Sequence, residues 1–145
     1  MEASIITVDE TENMYGTIKF LIEDLTGQVN RSKKVYKYMY DNCKDYDKTI
    51  FQRMYNNSVK HYKMMIEIYK EMHFKEYNET FETTIIYNKY DAEKCMMDTY
   101  DMLDDYTKIY TNLDDTAHYK KMIFEIIQDL QKNISMLGLV YMGEE

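Results

Sequence analysis

Two stretches of the chain decide its fold: Met54-Tyr55-Asn56-Asn57-Ser58-Val59-Lys60-His61, and Ile126-Ile127-Gln128-Asp129-Leu130-Gln131-Lys132-Asn133, which begins 72 residues later. Both lie in longer segments whose apolar residues recur at helical spacing, so each is predicted to be part of an α-helix. A second match supports the pairing, because Tyr36-x-x-x-Tyr40 recurs as Tyr106-x-x-x-Tyr110 after 70 residues. The sequence therefore predicts two copies of one helical hairpin.

The composition indicates a single all-α domain. The chain has 145 residues, four glycines and no proline, and proline and glycine are the residues that most often interrupt helices. The apolar stripes predict four helices, at about residues 13–42, 48–74, 89–111 and 116–142. These helices form an antiparallel bundle over about residues 14–143, preceded by a flexible arm at about 1–13. The apolar pattern breaks at about 75–87, which predicts a long crossover between the second and third helices.

The charge distribution bears on possible partners. A net charge of −8 argues against binding to nucleic acid, because the phosphate backbone attracts basic surfaces. The charge is uneven, with a balance of +6 over residues 30–75 and −8 over residues 76–115. This pattern fits either solvated helix faces or complementary docking surfaces. We expect a protein partner or self-association, for which a homodimer is a plausible form.

The sequence predicts neither a membrane span nor a secretion signal. No basic start is followed by an apolar core, and no apolar run approaches the roughly 18 residues of a membrane span. The two cysteines, Cys43 and Cys95, form neither a disulfide framework nor a CxxC metal motif. We therefore expect a cytoplasmic protein that has no membrane partner.

The duplicated pattern resembles the ferritin-like superfamily, and more narrowly the small rubrerythrin-related proteins of spore-forming bacteria. The residues that carry the resemblance are Leu25-Thr26-Gly27-Gln28-Val29, Ile50-Phe51-Gln52-Arg53-Met54-Tyr55, Val59-Lys60-His61-Tyr62, Met97-Asp98-Thr99, Tyr106 and Asp129-Leu130-Gln131-Lys132-Asn133. The resemblance implies a ferritin-like bundle of two repeated hairpins with a long crossover, and a spore-associated context.

The resemblance also implies a di-iron site whose ligands are four glutamates and two histidines. The equivalent positions in this chain are Val29, Ser58, His61, Thr99, Leu130 and Asn133. Only His61 is a ligand-type residue, and a di-iron centre needs four carboxylates to neutralise and bridge the metals. We therefore expect no metal, no cofactor and no enzymatic activity, and we interpret the chain as a structural or protein-interaction module.

Four further positions would surround that site in the family: Tyr36, Tyr106, Asp98 and Asp129. Here the tyrosines are expected to be hydrogen-bonded core residues, and the aspartates to bond tyrosines or to lie at the edge of the core. His61 is expected to be neutral and buried, with Tyr36, Tyr106, Thr99 or Asn133 as its hydrogen-bond partner.

Two alternatives to this interpretation remain open. In the first, His61 keeps a residual metal site with Asp98 or Asp129 and supports rubrerythrin-like iron or peroxide chemistry. In the second, the chain is an acidic helical inhibitor or immunity-type protein. Its binding surface for a basic partner would then be the acidic side of the third helix, formed by Asp98, Asp101, Asp104 and Asp105.

Overall fold

The computed structural model describes residues 2–114 and 117–144. Four α-helices dominate it: α1 over Glu2–Asn42, α2 over Lys48–His73, α3 over Ala92–Asn112 and α4 over Lys120–Glu144. Within the described residues there is no β-strand. The predicted all-α, four-helix architecture is confirmed.

The N-terminal boundary differs from the prediction. We expected an arm at about 1–13, whereas α1 begins at Glu2 and continues through these residues without a break. No glycine or proline occurs between Glu2 and Tyr15, so nothing in the sequence stops the helix from extending. Because the segment is polar, its sequence did not predict that it continues the helix.

The start of α3 is set by a capping residue. Asp91 has an extended backbone, and its side chain accepts a hydrogen bond from the backbone N–H of Lys94 at 2.8 Å. An aspartate in this position satisfies one of the unpaired N–H groups of the first turn. The helix therefore begins at Ala92, three residues later than predicted.

The helices associate as two hairpins. α1 packs mainly on α2 and α3 mainly on α4, while α1 also contacts α3 and α2 contacts α4. The larger apolar cluster joins the earlier parts of α1 and α4 to the later parts of α2 and α3. The smaller cluster joins the opposite ends of the same four helices. α1 and α4 therefore run in one direction, and α2 and α3 run in the other.

Because α2 and α3 are parallel, the segment 74–91 must return along the length of the bundle. It does so along α1 (residues 74–91 are called the crossover below). Tyr77 lies beside Gly27, where an added Cβ would be 2.9 Å from the tyrosine hydroxyl oxygen. Further along, the Asn30 side-chain amide donates to the Glu82 carboxylate at 2.8 Å. Beyond this point the rings of Tyr38 and Tyr87 lie 5.3 Å apart.

Candidate functional site

The six positions that the resemblance assigns to metal ligands all lie in the interior of the bundle. Each is at most 4% exposed. α1 contributes one of them, α2 two, α3 one and α4 two, in the order Val29, Ser58, His61, Thr99, Leu130 and Asn133. Their burial agrees with the periodicity of the sequence, since all six fall on the apolar stripe of their helix.

The His61 imidazole has a partner on the opposite hairpin. Its Nε2 atom lies 2.8 Å from Oδ2 of Asp129, and the Lys60 ammonium lies 2.8 Å from the same oxygen. An ionised carboxylate can only accept hydrogen bonds, so Nε2 of His61 carries the proton. Lys60 also donates to Glu125 at 3.3 Å. The predicted partners Tyr36, Tyr106, Thr99 and Asn133 are therefore wrong for His61.

Burial and pairing set the charges of this group. Burial lowers the pKa of His61 below its ordinary value of 6.5, and this effect exceeds the opposing effect of Asp129. Burial would raise the pKa of Asp129, but the hydrogen bonds from Lys60 and His61 hold it below its ordinary value. At neutral pH the group therefore consists of a neutral imidazole, an aspartate and a lysine cation.

A second hydrogen bond mirrors the first across the two hairpins. The Asn57 amide donates to the side-chain oxygen of Asn133 at 3.3 Å. In the repeat, Asn57 is equivalent to Asp129 and Asn133 is equivalent to His61. Each hairpin thus offers one polar side chain to the equivalent position of the other. Asn57 and Lys60 were not predicted as members of the site, although Asn57 could have been found from its equivalence to Asp129 in the 72-residue repeat.

The two predicted tyrosines are buried, and their surroundings differ. The Tyr36 hydroxyl lies 3.4 Å from Oγ1 of Thr99, which also donates to the Cys95 carbonyl at 2.6 Å. Among the described residues the Tyr106 hydroxyl has no hydrogen-bond partner. Burial raises the pKa of both phenols, so each stays protonated. The expectation of a bonded core tyrosine is confirmed for Tyr36 and wrong for Tyr106.

The repeat explains why Tyr106 has no hydrogen-bond partner among the described residues. Tyr106 is equivalent to Tyr36, and Val29 is equivalent to Thr99, each pair being 70 residues apart. Val29 and Tyr106 belong to the same apolar cluster. The valine side chain cannot accept the hydrogen bond that Thr99 accepts in the other half.

The predicted aspartates occupy different environments. Asp129 lies at the edge of the core, which was one of its two expected environments, and it bonds His61 and Lys60. The Asp98 carboxylate bonds the Lys94 ammonium at 2.7 Å on the side of α3. Asp98 also lines a cavity of about 100 Å³ together with Tyr36 and Thr99. It does not bond His61, so only Asp129 of the two suggested partners is next to the imidazole.

The centre offers few ligands to a metal ion. His61 and Asp129 provide one imidazole and one carboxylate, and no third histidine, cysteine or carboxylate joins them within residues 2–114 and 117–144. Val29 and Leu130 have no donor atoms. The donor set therefore does not fit a di-iron centre, which requires four carboxylates.

The acidic side of α3 is partly accessible. Asp101 and Asp104 are exposed, whereas Asp98 and Asp105 are half-buried. Burial raises the pKa of Asp105; Lys108 opposes this shift, while the neighbouring carboxylates of Asp24, Asp101 and Asp104 add to it. The four predicted residues are referred to below as the acidic face of α3.

Comparison of the chain with protein-family models, curated proteins and solved structures finds no match. The resemblance to the ferritin-like superfamily therefore stays a prediction. No helix within the described ranges has a stretch that is both long enough and apolar enough to cross a membrane.

Proposed function

We propose that the chain is a non-enzymatic bundle, derived from a duplicated metal-binding hairpin, that serves as a structural or protein-interaction module. The observation that carries this proposal is the burial of all six equivalent ligand positions when only His61 among them is a ligand-type residue. The connectivity supports it as well, because two hairpins joined by one long crossover are typical of ferritin-like bundles.

The physical reason lies in the cost of an empty metal site. Buried carboxylates without a metal must be paired or protonated, and either condition is unfavourable. Valine and leucine avoid this cost at positions 29 and 130. Replacement of buried ionic groups by apolar ones stabilises proteins by about 1–4 kcal/mol in several systems. A chain that keeps the bundle but not the metal would gain from such substitutions.

The metal content of the protein tests this proposal. Wild type and His61→Asn are purified from iron-supplemented medium, and their iron is measured by elemental analysis. A functional di-iron bundle carries about two irons per chain. We expect the wild type to contain no more iron than His61→Asn. Iron at about one equivalent or more in the wild type, lost in His61→Asn, would support rubrerythrin-like chemistry instead.

The acidic face of α3 supports an interaction role with a basic partner. No lysine or arginine within the described ranges forms an ion pair with Asp101 or Asp104. Like charges held close together repel one another, and a basic surface would relieve that repulsion. The same reasoning applies to a second copy of the chain, because residues 30–75 carry a positive balance.

Charge reversal separates these possibilities. The variant Asp101→Lys with Asp104→Lys is compared with wild type in affinity capture and in light scattering after size exclusion. The control variant reverses two exposed acids at the other end of the bundle, Asp41 and Asp45. Loss of a captured basic protein only in the α3 variant supports the inhibitor or immunity-type function. A dimer that dissociates only in the α3 variant supports self-association, and no change in either measurement argues against this face as the interface.

A further inference from the structure

A second group of ligand-type side chains lies at the surface, near the end of α2 and the start of α4. Glu67 and Glu71 are one helical turn apart on α2, and His118 precedes α4. One ligand atom from each of the three residues lies within 4.8 Å of the other two. All three side chains are exposed. The group is called the Glu67–Glu71–His118 cluster below.

One distance within this cluster equals the separation of neighbouring ligand atoms in a tetrahedral metal site. Nε2 of His118 lies 3.4 Å from Oε1 of Glu71. Zinc–nitrogen and zinc–oxygen bonds of about 2.0–2.2 Å place neighbouring ligand atoms of a tetrahedral site about 3.4 Å apart. The remaining ligand atoms lie within 4.8 Å of one another, so rotation of the exposed side chains would be needed to bring all three to this separation.

The charge of the cluster also favours a cation. Carboxylates four residues apart on a helix repel each other. No lysine or arginine in the described part of the chain forms an ion pair with Glu67 or Glu71, and Lys70 between them is bonded to Glu76 at 2.7 Å. His118 is thus the partner that the structure gives to Glu71.

The backbone holds His118 in place for this contact. The N–H of Ala117 donates to the Asp114 carbonyl at 2.9 Å, and the N–H of Lys120 donates to the Ala117 carbonyl at 3.1 Å. The next residue, Tyr119, packs against the larger apolar cluster. The hydrogen bond from Lys120 to Ala117 encloses His118 in one turn, and this restraint reduces the entropy lost when the imidazole binds a ligand.

We propose that the Glu67–Glu71–His118 cluster binds one divalent transition-metal ion of the zinc class. An imidazole with two carboxylates suits zinc, nickel or cobalt better than magnesium or calcium, which prefer oxygen ligands alone. Three protein ligands leave a fourth position for water. The ion links α2 in the first hairpin to the start of α4 in the second, and so restrains the two hairpins relative to each other.

Zinc titration of the full chain tests this proposal. Isothermal calorimetry with zinc alone should give about one ion per chain, and cobalt(II) should give the visible absorption of a four-coordinate site. His118→Ala and Glu71→Gln should each weaken zinc binding by at least about tenfold, because even outer-shell changes cost 10–100-fold. Zinc should also raise the thermal unfolding midpoint of the wild type, since the three ligands are brought together only in the folded chain.

Two control variants locate the binding. Glu93→Gln, an exposed change on α3, should bind zinc as the wild type does, and so should His61→Asn at the bundle centre. Circular dichroism checks that every variant is folded. Equal zinc binding by wild type and His118→Ala, or no binding by either, would overturn the proposal. Loss of binding in His61→Asn alone would overturn it too, and would also contradict the proposed loss of the central metal site.

Discussion

Two tyrosines at equivalent places in the repeat have unequal hydrogen bonding. Tyr36 lies within hydrogen-bonding distance of Thr99, whereas Tyr106 has no partner within the described ranges. A buried hydroxyl that makes no hydrogen bond costs free energy, because it has lost its bonds to water. The difference between Thr99 and Val29 should therefore be measurable in the stability of the protein.

We predict opposite consequences for removal of the two hydroxyls. Tyr36→Phe should lower the free energy of unfolding by about 0.5–1.5 kcal/mol, the usual net value of a hydrogen bond. Tyr106→Phe should leave the free energy of unfolding unchanged or raise it, since it removes an unpaired polar group. Urea denaturation measures both values.

The Val29→Thr background provides the control for this pair. A threonine at position 29 gives Tyr106 the kind of acceptor that Thr99 gives Tyr36. In that background Tyr106→Phe should lower the free energy of unfolding more than it does in the wild type. Val140→Thr, a buried change elsewhere, is the control background. There the effect of Tyr106→Phe on the free energy of unfolding should equal its effect in the wild type. If Tyr106→Phe and Tyr36→Phe lowered the free energy of unfolding of the wild type equally, the unpaired state of the Tyr106 hydroxyl would be contradicted.

His61 should make the stability depend on pH. Burial lowers its pKa in the folded state, so the unfolded chain binds more protons around the ordinary value of 6.5. The stability that His61 contributes is present above about pH 6.5 and decreases as the pH falls toward the lowered folded value. His61→Asn should therefore lose less stability between about pH 7.5 and about pH 5.5 than the wild type.

Urea unfolding at several pH values checks this expectation. Asparagine occupies the equivalent position 133 in the other hairpin, so it is a suitable replacement at position 61. Asp129 also has a lowered pKa, but its contribution decreases only below about its ordinary value of 3.8. An identical pH dependence in wild type and His61→Asn would contradict the neutral, buried state of this imidazole.

The contact between α1 and the crossover depends on Gly27. An alanine there would normally stabilise a helix by up to about 1 kcal/mol. Its Cβ would, however, lie 2.9 Å from the Tyr77 hydroxyl, which donates to Glu82 at 2.7 Å. We predict that Gly27→Ala gives no such gain in the free energy of unfolding, because Tyr77 must move away from Glu82.

Gly138 is the control that tests whether the contact with Tyr77 prevents the gain in stability at Gly27. An added Cβ on Gly138 in α4 would meet nothing within 4 Å, so Gly138→Ala should stabilise the chain by up to about 1 kcal/mol. In the Tyr77→Phe background, where the hydroxyl is absent, Gly27→Ala should raise the free energy of unfolding. Equal gains from the two alanines in the wild type would rule out this explanation.

The helices could be predicted where an apolar stripe marks them. α2 was expected over 48–74 and is found over Lys48–His73, and the predicted end of α1 at residue 42 is also found. The start of α1 could not be predicted, because residues 2–13 have no clear stripe and continue the helix only through the lack of a breaker. The start of α3 depended on the Asp91 cap, which the apolar pattern does not report.

The burial of the central residues was predictable from the sequence, but their hydrogen-bond partners were not. Helical periodicity placed the six equivalent ligand positions in the core, where all of them lie. The His61–Asp129 hydrogen bond joins residues that are 68 positions apart, so it depends on how the hairpins pack. The ion pairs of Lys60 could not be predicted for the same reason, since they require Glu125 and Asp129 of the other hairpin.

The interpretation of the centre as a lost metal site can be tested by restoring it. Ser58→Glu with Leu130→Glu should lower the thermal unfolding midpoint, because buried carboxylates without a partner cost several kcal/mol. Adding Val29→Glu, Thr99→Glu and Asn133→His completes the ligand set around His61. This variant should be stabilised by iron(II) or cobalt(II), as measured by the unfolding midpoint with and without metal.

The wild type and the double variant serve as controls in the same titration. Neither should gain stability at the centre, and His118→Ala in every background removes the surface cluster as a source of metal binding. A double variant as stable as the wild type would mean that positions 58 and 130 can rehydrate, contrary to their observed burial.

Cleavage of the peptide chain within the crossover should leave the two hairpins associated. Both apolar clusters contain residues from all four helices, so the interior, rather than the linking peptide, holds the hairpins together. Lys75 and Lys89 are exposed within the crossover, where limited trypsin digestion should cut first. The nicked halves should still elute together in size exclusion and separate only in denaturant, which would make the chain a natural candidate for a two-fragment complementation system.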